Sequence, residues 1–304
     1  MHHALQSSPD RGSSTRERTI SVVIPAHNVS DVLADQLEAL RGQSYSGDWD
    51  VVVIDNRSTD DTADVARRFA DRLPLKIVSA PLLPSPGYAR NVGVEASRGE
   101  LIVFVDGDDV ADVDLLSAYA RQAHRYRIMG GHLDDTRLND PVVAAWRYSF
   151  TTGGLPLTLE RFPFVLTSNC AIRRDVFAEI GLFDEQLAHG SEDTDLSIRA
   201  TLAGIEIGWV PDALVHYRHR GSLRAVVRQQ FRYGRGAVDM YTRYRSSAGA
   251  RDNVRTSIAQ LARVAAGVPN LVRGRRRRGQ WLRFSSFVAG QLVQSVKLRT
   301  WYVG

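Results

Sequence analysis

LIVFVDGDD, residues 101–109, is the stretch on which the fold turns. Five apolar residues in a row, three of them β-branched, read as a short strand buried on both faces, the kind found inside a parallel sheet. The turn that follows carries three carboxylates, Asp106, Asp108 and Asp109, around Gly107. Upstream, TISVVIP (19–25), DVVVID (50–55) and LKIVS (75–79) have the same strand character. Between these runs the spacing changes to that of a helix. Residues 30–43 place Val32, Leu33, Leu37 and Leu40 on one face, 59–73 follow Ser58 and Asp61 in a capping-box spacing, and 85–97 end before Gly99. Alternating fully apolar strands and helices predict an α/β chain with a mostly parallel central sheet flanked by helices.

Such a sheet binds ligands beyond the carboxyl ends of its strands. Polar groups collect there: Pro25, Ala26, His27 and Asn28 after the first strand, Asp55 and Asn56 after the second, Asp106–Asp109 after the fourth. Three clustered anions repel unless a cation joins them, and carboxylate oxygens suit Mg²⁺ or Mn²⁺; a solvated acidic turn has the same composition. Gly107 is expected to let the backbone turn closely there. Asp55 suits a hydrogen bond from a base or ribose, or a local helix cap. Beyond residue 110 a helix is expected at 112–126, strand-like pieces at 127–133, 141–150 and 168–173, a short helix at 175–181, a helix at 190–204, strands at 205–210 and 213–217, and a long helix at 222–245. Glu192 and Asp193 open the helix at 190–204, as dipole-favoured caps or as a general base with a helper facing the other way. His216 ends a strand, as a structural residue or as a metal ligand.

The chain has 304 residues, 43% hydrophobic and 24% charged, which excludes a wholly disordered protein. One cysteine, Cys170, excludes a disulfide framework and a cysteine zinc cluster and fits a reducing, cytoplasmic compartment. The net charge of +5 is unevenly spread: residues 1–215 carry −12, residues 216–245 +7 and residues 251–304 +10. An acidic body argues against nucleic acid as a partner, and a basic end suits phosphates of a substrate or membrane. Residues 1–18 are polar, without the apolar core of a signal peptide, and read as a disordered lead-in. No run of about 18 apolar residues is present for a membrane span. Two helices are expected at 252–268 and 280–300, separated by Pro269 and the arginine run at 273–278; with Trp281, Trp301 and Tyr302 they suit the interface of an anionic membrane, or a plain helical subdomain.

Taken in order, VVIPAHN (22–28), VIDNRSTD (53–60), GYARNVG (87–93), GELIVFVDGDD (99–109), residues 168–184 and EDTDL (192–196) resemble family 2 glycosyltransferases of the GT-A nucleotide-sugar fold across residues 19–222. The resemblance implies a nucleotide-binding half (19–109) and an acceptor half (110–222); composition and spacing add a helical, basic C-terminal region (223–304). It implies a nucleotide-sugar donor, in many relatives a UDP-sugar, and an acceptor hydroxyl on a glycan or lipid-linked molecule. Pro25, Ala26 and His27 would line the base pocket with Asn28 supporting the loop, and Asp55 would bind the base. Arg90 would reach the diphosphate or sugar, with Asn91 fixing the helix start. Asp106 would contact ribose or sugar beside Gly107, and Asp108 would hold Mn²⁺ or Mg²⁺ with His216 as an added ligand. Asp193 would be the catalytic base of an inverting single displacement and Glu192 an acceptor contact, at the inner face of the cell membrane. QQFRY (229–233) resembles the Gln-x-x-Arg-Trp motif of processive members with tyrosine for tryptophan, which favours transfer of one or a few sugars. A nucleotidylyltransferase is the first alternative, but the glycine-rich loop those enzymes place after the first strand is absent. A non-catalytic nucleotide-sugar scaffold is the second; it would be expected to have lost Asp108 or Asp193.

Overall fold

The computed structural model describes residues 18–146, 153–187, 189–249 and 254–303. The expected lead-in therefore lies, except for Arg18, outside the described residues. In chain order the elements are β1 (Ile20–Ala26), α1 (Leu33–Arg41), β2 (Trp49–Asp55), α2 (Thr62–Arg67), β3 (Leu75–Ser79), α3 (Pro86–Ala96), β4 (Leu101–Val105), β5 (Val110–Ala111), α4 (Leu115–Gln122), β6 (Ile128–Asp134) and α5 (Pro141–Ala144). They continue with β7 (Leu157–Thr158), β8 (Phe162–Pro163), β9 (Asn169–Arg173), α6 (Arg174–Ile180), α7 (Glu192–Leu202), β10 (Ile207–His216), α8 (Leu223–Ala248), α9 (Val254–Ala266), a 3-10 turn (Val268–Leu271) and α10 (Arg275–Leu298).

Eight strands form one sheet in the order β3-β2-β1-β4-β9-β6-β10-β5. β9 runs antiparallel to β4 and β6, β5 antiparallel to β10, and the other pairs are parallel. The predicted mostly parallel sheet is therefore present. Because side chains alternate faces, Val22, Ile24, Val103 and Val105 join one core cluster while Val23, Ile102 and Phe104 join the other. The chain steps from β1 outward to β3, then crosses back to put β4 on the other side of β1. The strand order thus reverses between β1 and β4, where Ala26–Asn28 and Asp106–Asp109 leave the sheet.

Four expectations are corrected. Ser58 and Asp61 form no capping box; α2 begins at Thr62, and the Ser58 hydroxyl instead accepts from the Asn28 N–H at 3.2 Å. Within the strand-like piece expected at 141–150, Pro141–Ala144 form a helical turn, capped by Asp140 accepting from the N–H groups of Val142 and Val143; residues 147–150 lie outside the described residues. Asp at the cap with Pro at the first helical position is a helix signal that outweighs two valines. The strands expected at 205–210 and 213–217 are one strand, β10, bulged between Val210 and Leu214 at Pro211, which has no N–H for the ladder. The arginines at 275–278 form the first turn of α10 rather than a linker.

α10 packs along α8 through glycines. A Cβ on Gly234 would lie 2.0 Å from the Phe287 carbonyl oxygen, and one on Gly290 2.1 Å from that of Phe231. The helices therefore touch backbone to backbone, and any side chain must separate them. Gly290→Val is expected to lower stability by about 1–3 kcal/mol, read as a fall in Tm. Gly221→Ala, at a glycine with open space around it, serves as the control and should leave Tm within a degree or so.

Candidate active site

Three strand ends are stitched together at the sheet edge. Ala26 pairs with Asp55 in register, and the Asn56 N–H donates to the Ala26 carbonyl at 2.8 Å. Asn56 Nδ2 donates to the carbonyls of Ala80 and Leu83, both at 2.7 Å, so one side chain ties the turn after β2 to the turn after β3. His27 Nδ1 lies 2.8 Å from the Asn56 carbonyl oxygen. A carbonyl only accepts, so this ring nitrogen donates, and Nε2 stands 3.4 Å from Asn28 Nδ2. Asn28, at φ 52°, accepts from the Thr59 N–H at 2.8 Å. The Val29 N–H donates to Thr62 Oγ1 and the Ser30 N–H to Asp60. Asp55 accepts from the Ser58 N–H at 3.1 Å through one oxygen. His27 and Asn28 are exposed and Pro25 and Asp55 half-buried above buried Ala26, so these residues offer a shaped polar rim at the strand-order reversal.

Beside this rim stands the acidic turn. Oxygens of Asp106, Asp108 and Asp109 lie within 4.8 Å of one another. Asp109 is fully buried; one oxygen accepts from the Arg218 N–H at 2.7 Å, and the other has no hydrogen-bond partner. Burial, then neighbouring carboxylates, push the Asp108 and Asp109 carboxyls up from their ordinary range. A cluster of oxygens short of positive charge, with one orphaned buried oxygen, fits a hard divalent cation. The turn is held rigid from behind. Buried Gln36 donates to the Asp106 carbonyl at 3.0 Å and accepts from the Ala111 N–H at 2.8 Å, bracketing residues 106–111. Arg218 donates from Nε to the Asp108 carbonyl. Gly107 has no left-handed φ, and a Cβ there would meet Leu33 and Val29 at 3.4 Å, an ordinary contact distance, so the structure gives no reason for glycine at this turn.

His216 is not brought to this cluster. Its Nδ1 lies 2.8 Å from Asp134 and its Nε2 2.9 Å from the Arg137 guanidinium, so both ring nitrogens are engaged one strand away. It pairs across from Val110, next to Asp109, and its part as an added metal ligand stays an expectation.

The third component is the start of α7. Gly190, at φ 71°, and Ser191, at φ 118°, turn the chain sharply before Glu192. Left-handed backbone at a non-glycine is costly and is kept where surrounding structure enforces it. Here α8 does so: at Gly236 it packs directly on the Gly190 carbonyl and the Ser191 hydroxyl, each 2.5 Å from where a Cβ would stand. Tyr244 and Arg243 of α8 both donate to buried Asp195 at 2.6 Å, clamping α7 from the same side. Tyr233, the residue in place of the processive motif's tryptophan, packs beside Gly190 and takes a hydrogen bond from Gln229 at 3.0 Å.

Glu192 and Asp193 face different partners. Glu192 accepts from Arg90 at 2.7 Å through one oxygen and from the Ser191 N–H at 3.1 Å through the other. Asp193 has no ion pair among the described residues; it accepts from the Thr194 N–H at 2.7 Å. Burial, then the neighbouring Glu192 charge, raise the Asp193 carboxyl to about 6, against the lowering pull of Arg90. A carboxylate tuned towards neutrality is suited to take a proton. Arg90 is buried and bridges the two halves of the site, donating to Glu192 and, at 3.1 Å, to Asp106. It is thus a tie between the acidic turn and α7. Asn91 lies within α3 and exchanges hydrogen bonds with the Phe183 backbone, fixing the 183–185 segment rather than the helix start. The sequence reading passed over Gln36 and named Asn56 only as a polar group at a strand end; nothing in their local sequence marks their roles, because their partners are about 24 to 75 residues away.

The sequence pattern defining the family described as "Glycosyltransferase like family 2" matches residues 17–236. Glycosyltransferase AglE of Haloferax volcanii is 28% identical over 226 residues, covering 73% of this chain and 74% of that protein. Among solved structures, the mannosyltransferase PcManGT from Pyrobaculum calidifontis, in complex with GDP-Man and Mn²⁺, superposes with a TM-score of 0.61 at 18% identity, covering 92% of this chain and 88% of that one. S. aureus TarS 1–349 in complex with UDP-GlcNAc superposes with a TM-score of 0.54 at 17% identity, covering 93% of each chain. These two likenesses show a shared fold, the GT-A nucleotide-sugar fold.

Proposed function

The chain belongs to the family 2 glycosyltransferases, and from that membership we propose that it is an inverting enzyme moving one or a few sugars from a UDP-sugar to an acceptor hydroxyl on a lipid-linked molecule or cell-envelope glycan. The observation that carries this reading is one juxtaposition. Arg90 joins the acidic turn Asp106–Asp109, at the strand-order reversal, to the helix start bearing Asp193. A donor site and a base are thereby held against each other.

Each residue has a task in this reading. The rim of Pro25, Ala26, His27 and Asn28 packs against the base. The unpaired oxygen of Asp55 accepts from a ring N–H, which uracil presents at N3. Asp106 receives ribose or sugar hydroxyls. Asp108 and Asp109, with Asp106, would hold Mn²⁺ or Mg²⁺; when bound, the cation supplies Lewis-acid stabilisation of the departing diphosphate. Asp193 takes the proton from the acceptor hydroxyl as its oxygen attacks the anomeric carbon opposite the diphosphate, which inverts the configuration without a covalent sugar–enzyme intermediate. Fixing donor and base in line contributes much of the rate. The loss of Asp108 or Asp193 that a non-catalytic scaffold predicts has not occurred, and the tuned carboxyl of Asp193 favours the enzyme reading.

The test is release of nucleoside diphosphate from a panel of UDP-, GDP- and dTDP-sugars with Mn²⁺, with acceptor extracts and across pH. UDP-sugars should be turned over and the other bases not. The base works deprotonated, so kcat/KM should rise with pH through a midpoint near 6 and fall about tenfold per pH unit below it. Turnover that peaks below pH 5 would remove Asp193 from the role of base.

A further inference from the structure

A second site lies in the C-terminal region, separate from the acidic turn. A cavity of about 460 Å³ opens between the end of α5, α9, the 3-10 turn and α10. Its walls include Trp146, Trp281 and Phe284, with the guanidinium groups of Arg263, Arg277 and Arg283. The walls are built in place. Trp146 Nε1 donates to the Arg275 carbonyl at 3.1 Å and Trp281 Nε1 to the Val264 carbonyl at 2.9 Å. Arg263 stacks on the Phe284 ring at 4.5 Å. Stacking leaves a guanidinium's N–H donors available to an anion. No carboxylate lines the cavity among the described residues. Residues 253–304 contain ten Lys/Arg and no acidic residue.

An apolar stripe adjoins the cavity. α9 buries only Ser257. Val254, Ile258, Leu261 and Ala265, continued by Val268 and Val272, recur at spacings of four and three, so α9 carries one apolar face that, apart from half-buried Leu261, the fold leaves exposed. Ile258 is 62% and Val272 89% exposed. A cationic cavity with room for a lipid head group, beside exposed aliphatic side chains, has the layering of a membrane interface, where head-group phosphates overlie acyl chains. A second copy of this chain fits poorly, since two such cationic surfaces repel. Nucleic acid would use the arginines and leave the aliphatic stripe in water.

We propose that this cavity takes the phosphate of an anionic phospholipid and that Ile258, Val268 and Val272 enter the membrane interface, docking the enzyme on the lipid surface. No helix among the described residues is long and apolar enough to cross a membrane, so the contact is a surface one. It is continuous with the active edge: Trp146 follows α5, which leaves the carboxyl end of β6 on the same edge as Asp106–Asp109, and α10 packs on α8, which enforces the turn before Asp193.

The test is flotation of the full chain with vesicles of phosphatidylcholine alone or with phosphatidylglycerol, at physiological salt and without substrate, so that it stands apart from sugar transfer. The chain should float with phosphatidylglycerol vesicles and not with phosphatidylcholine alone. Arg263→Ala with Arg277→Ala should weaken binding about thirtyfold. Ile258→Asp with Val272→Asp, at exposed positions, should also abolish flotation while leaving Tm unchanged. No flotation with phosphatidylglycerol would overturn the proposal. So would flotation that survives the aspartates, flotation displaced by equimolar inorganic phosphate, or tight salt-sensitive binding to duplex DNA in place of vesicles.

Discussion

Asp193→Asn is expected to lower kcat by about 10²–10⁴-fold, the usual worth of a positioned general base, while the affinity for nucleoside diphosphate stays within about twofold. The substitution keeps the shape of the side chain and removes its ability to take a proton. Its surroundings show why the position matters. Glu192 is spent on Arg90 and the Ser191 N–H, whereas Asp193 holds no ion pair among the described residues and is raised towards neutrality by burial and by Glu192. Steady-state kinetics on the donor identified by nucleotide release, with a binding titration alongside, separates the two effects. Activity within tenfold of the parent would assign the proton transfer elsewhere.

Arg90→Leu is expected to cost about 3–5 kcal/mol of stability and nearly all activity. Arg90 is the one cation between Glu192, which is buried, and Asp106. Removing one partner of a buried pair leaves the other charge desolvated and uncompensated, which is far costlier than removing both. The double variant Arg90→Leu/Glu192→Leu should therefore recover most of the lost Tm. It should not recover transfer, because the tie to Asp106 is gone. A further signature distinguishes this from a merely structural role. Arg90 pulls the Asp193 carboxyl down, so any residual activity of Arg90→Leu should show its acid limb displaced to higher pH. An unchanged Tm, or a limb moved to lower pH, would contradict the bridge.

The N-terminal part of the sheet was legible because its signals are local. β1, β2 and β4 each carry a run of apolar residues buried on both faces, and such runs have few other homes, while β3 is a half-buried edge strand. The acidic turn, the rim at 25–28 and the pair Glu192–Asp193 were visible as polar residues at the ends of apolar elements. What escaped was set by distant partners. Gln36 looks like any polar helix residue, and only the return of residues 106–111 beside α1 makes it a bracket. His216 ends a strand at the same edge, where the neighbouring β6 supplies Asp134 and the residues after it Arg137 as partners for its ring, contacts that local sequence does not announce. Arg90 sits on a helix that points at the sheet edge, but buried Glu192, about a hundred residues later, captures it. The arginines at 275–278 read as a linker by charge, although arginine is a good helix former and Gly274, at φ 90°, supplies the break before them.

The most direct measurement of the central claim, a cation-dependent nucleotide-sugar site at the Asp106–Asp109 turn, is the thermal unfolding of the parent and of Asp108→Asn with UDP, GDP and dTDP, each with Mn²⁺ or with chelator. A ligand held at one hundred times its Kd adds about 2.7 kcal/mol to the folded state, a shift of several degrees. The parent should be stabilised by UDP with Mn²⁺ and lose that stabilisation with chelator, and Asp108→Asn should show no shift in either condition. No shift of the parent with any of the three nucleotides, or an equal shift in Asp108→Asn, would contradict the site.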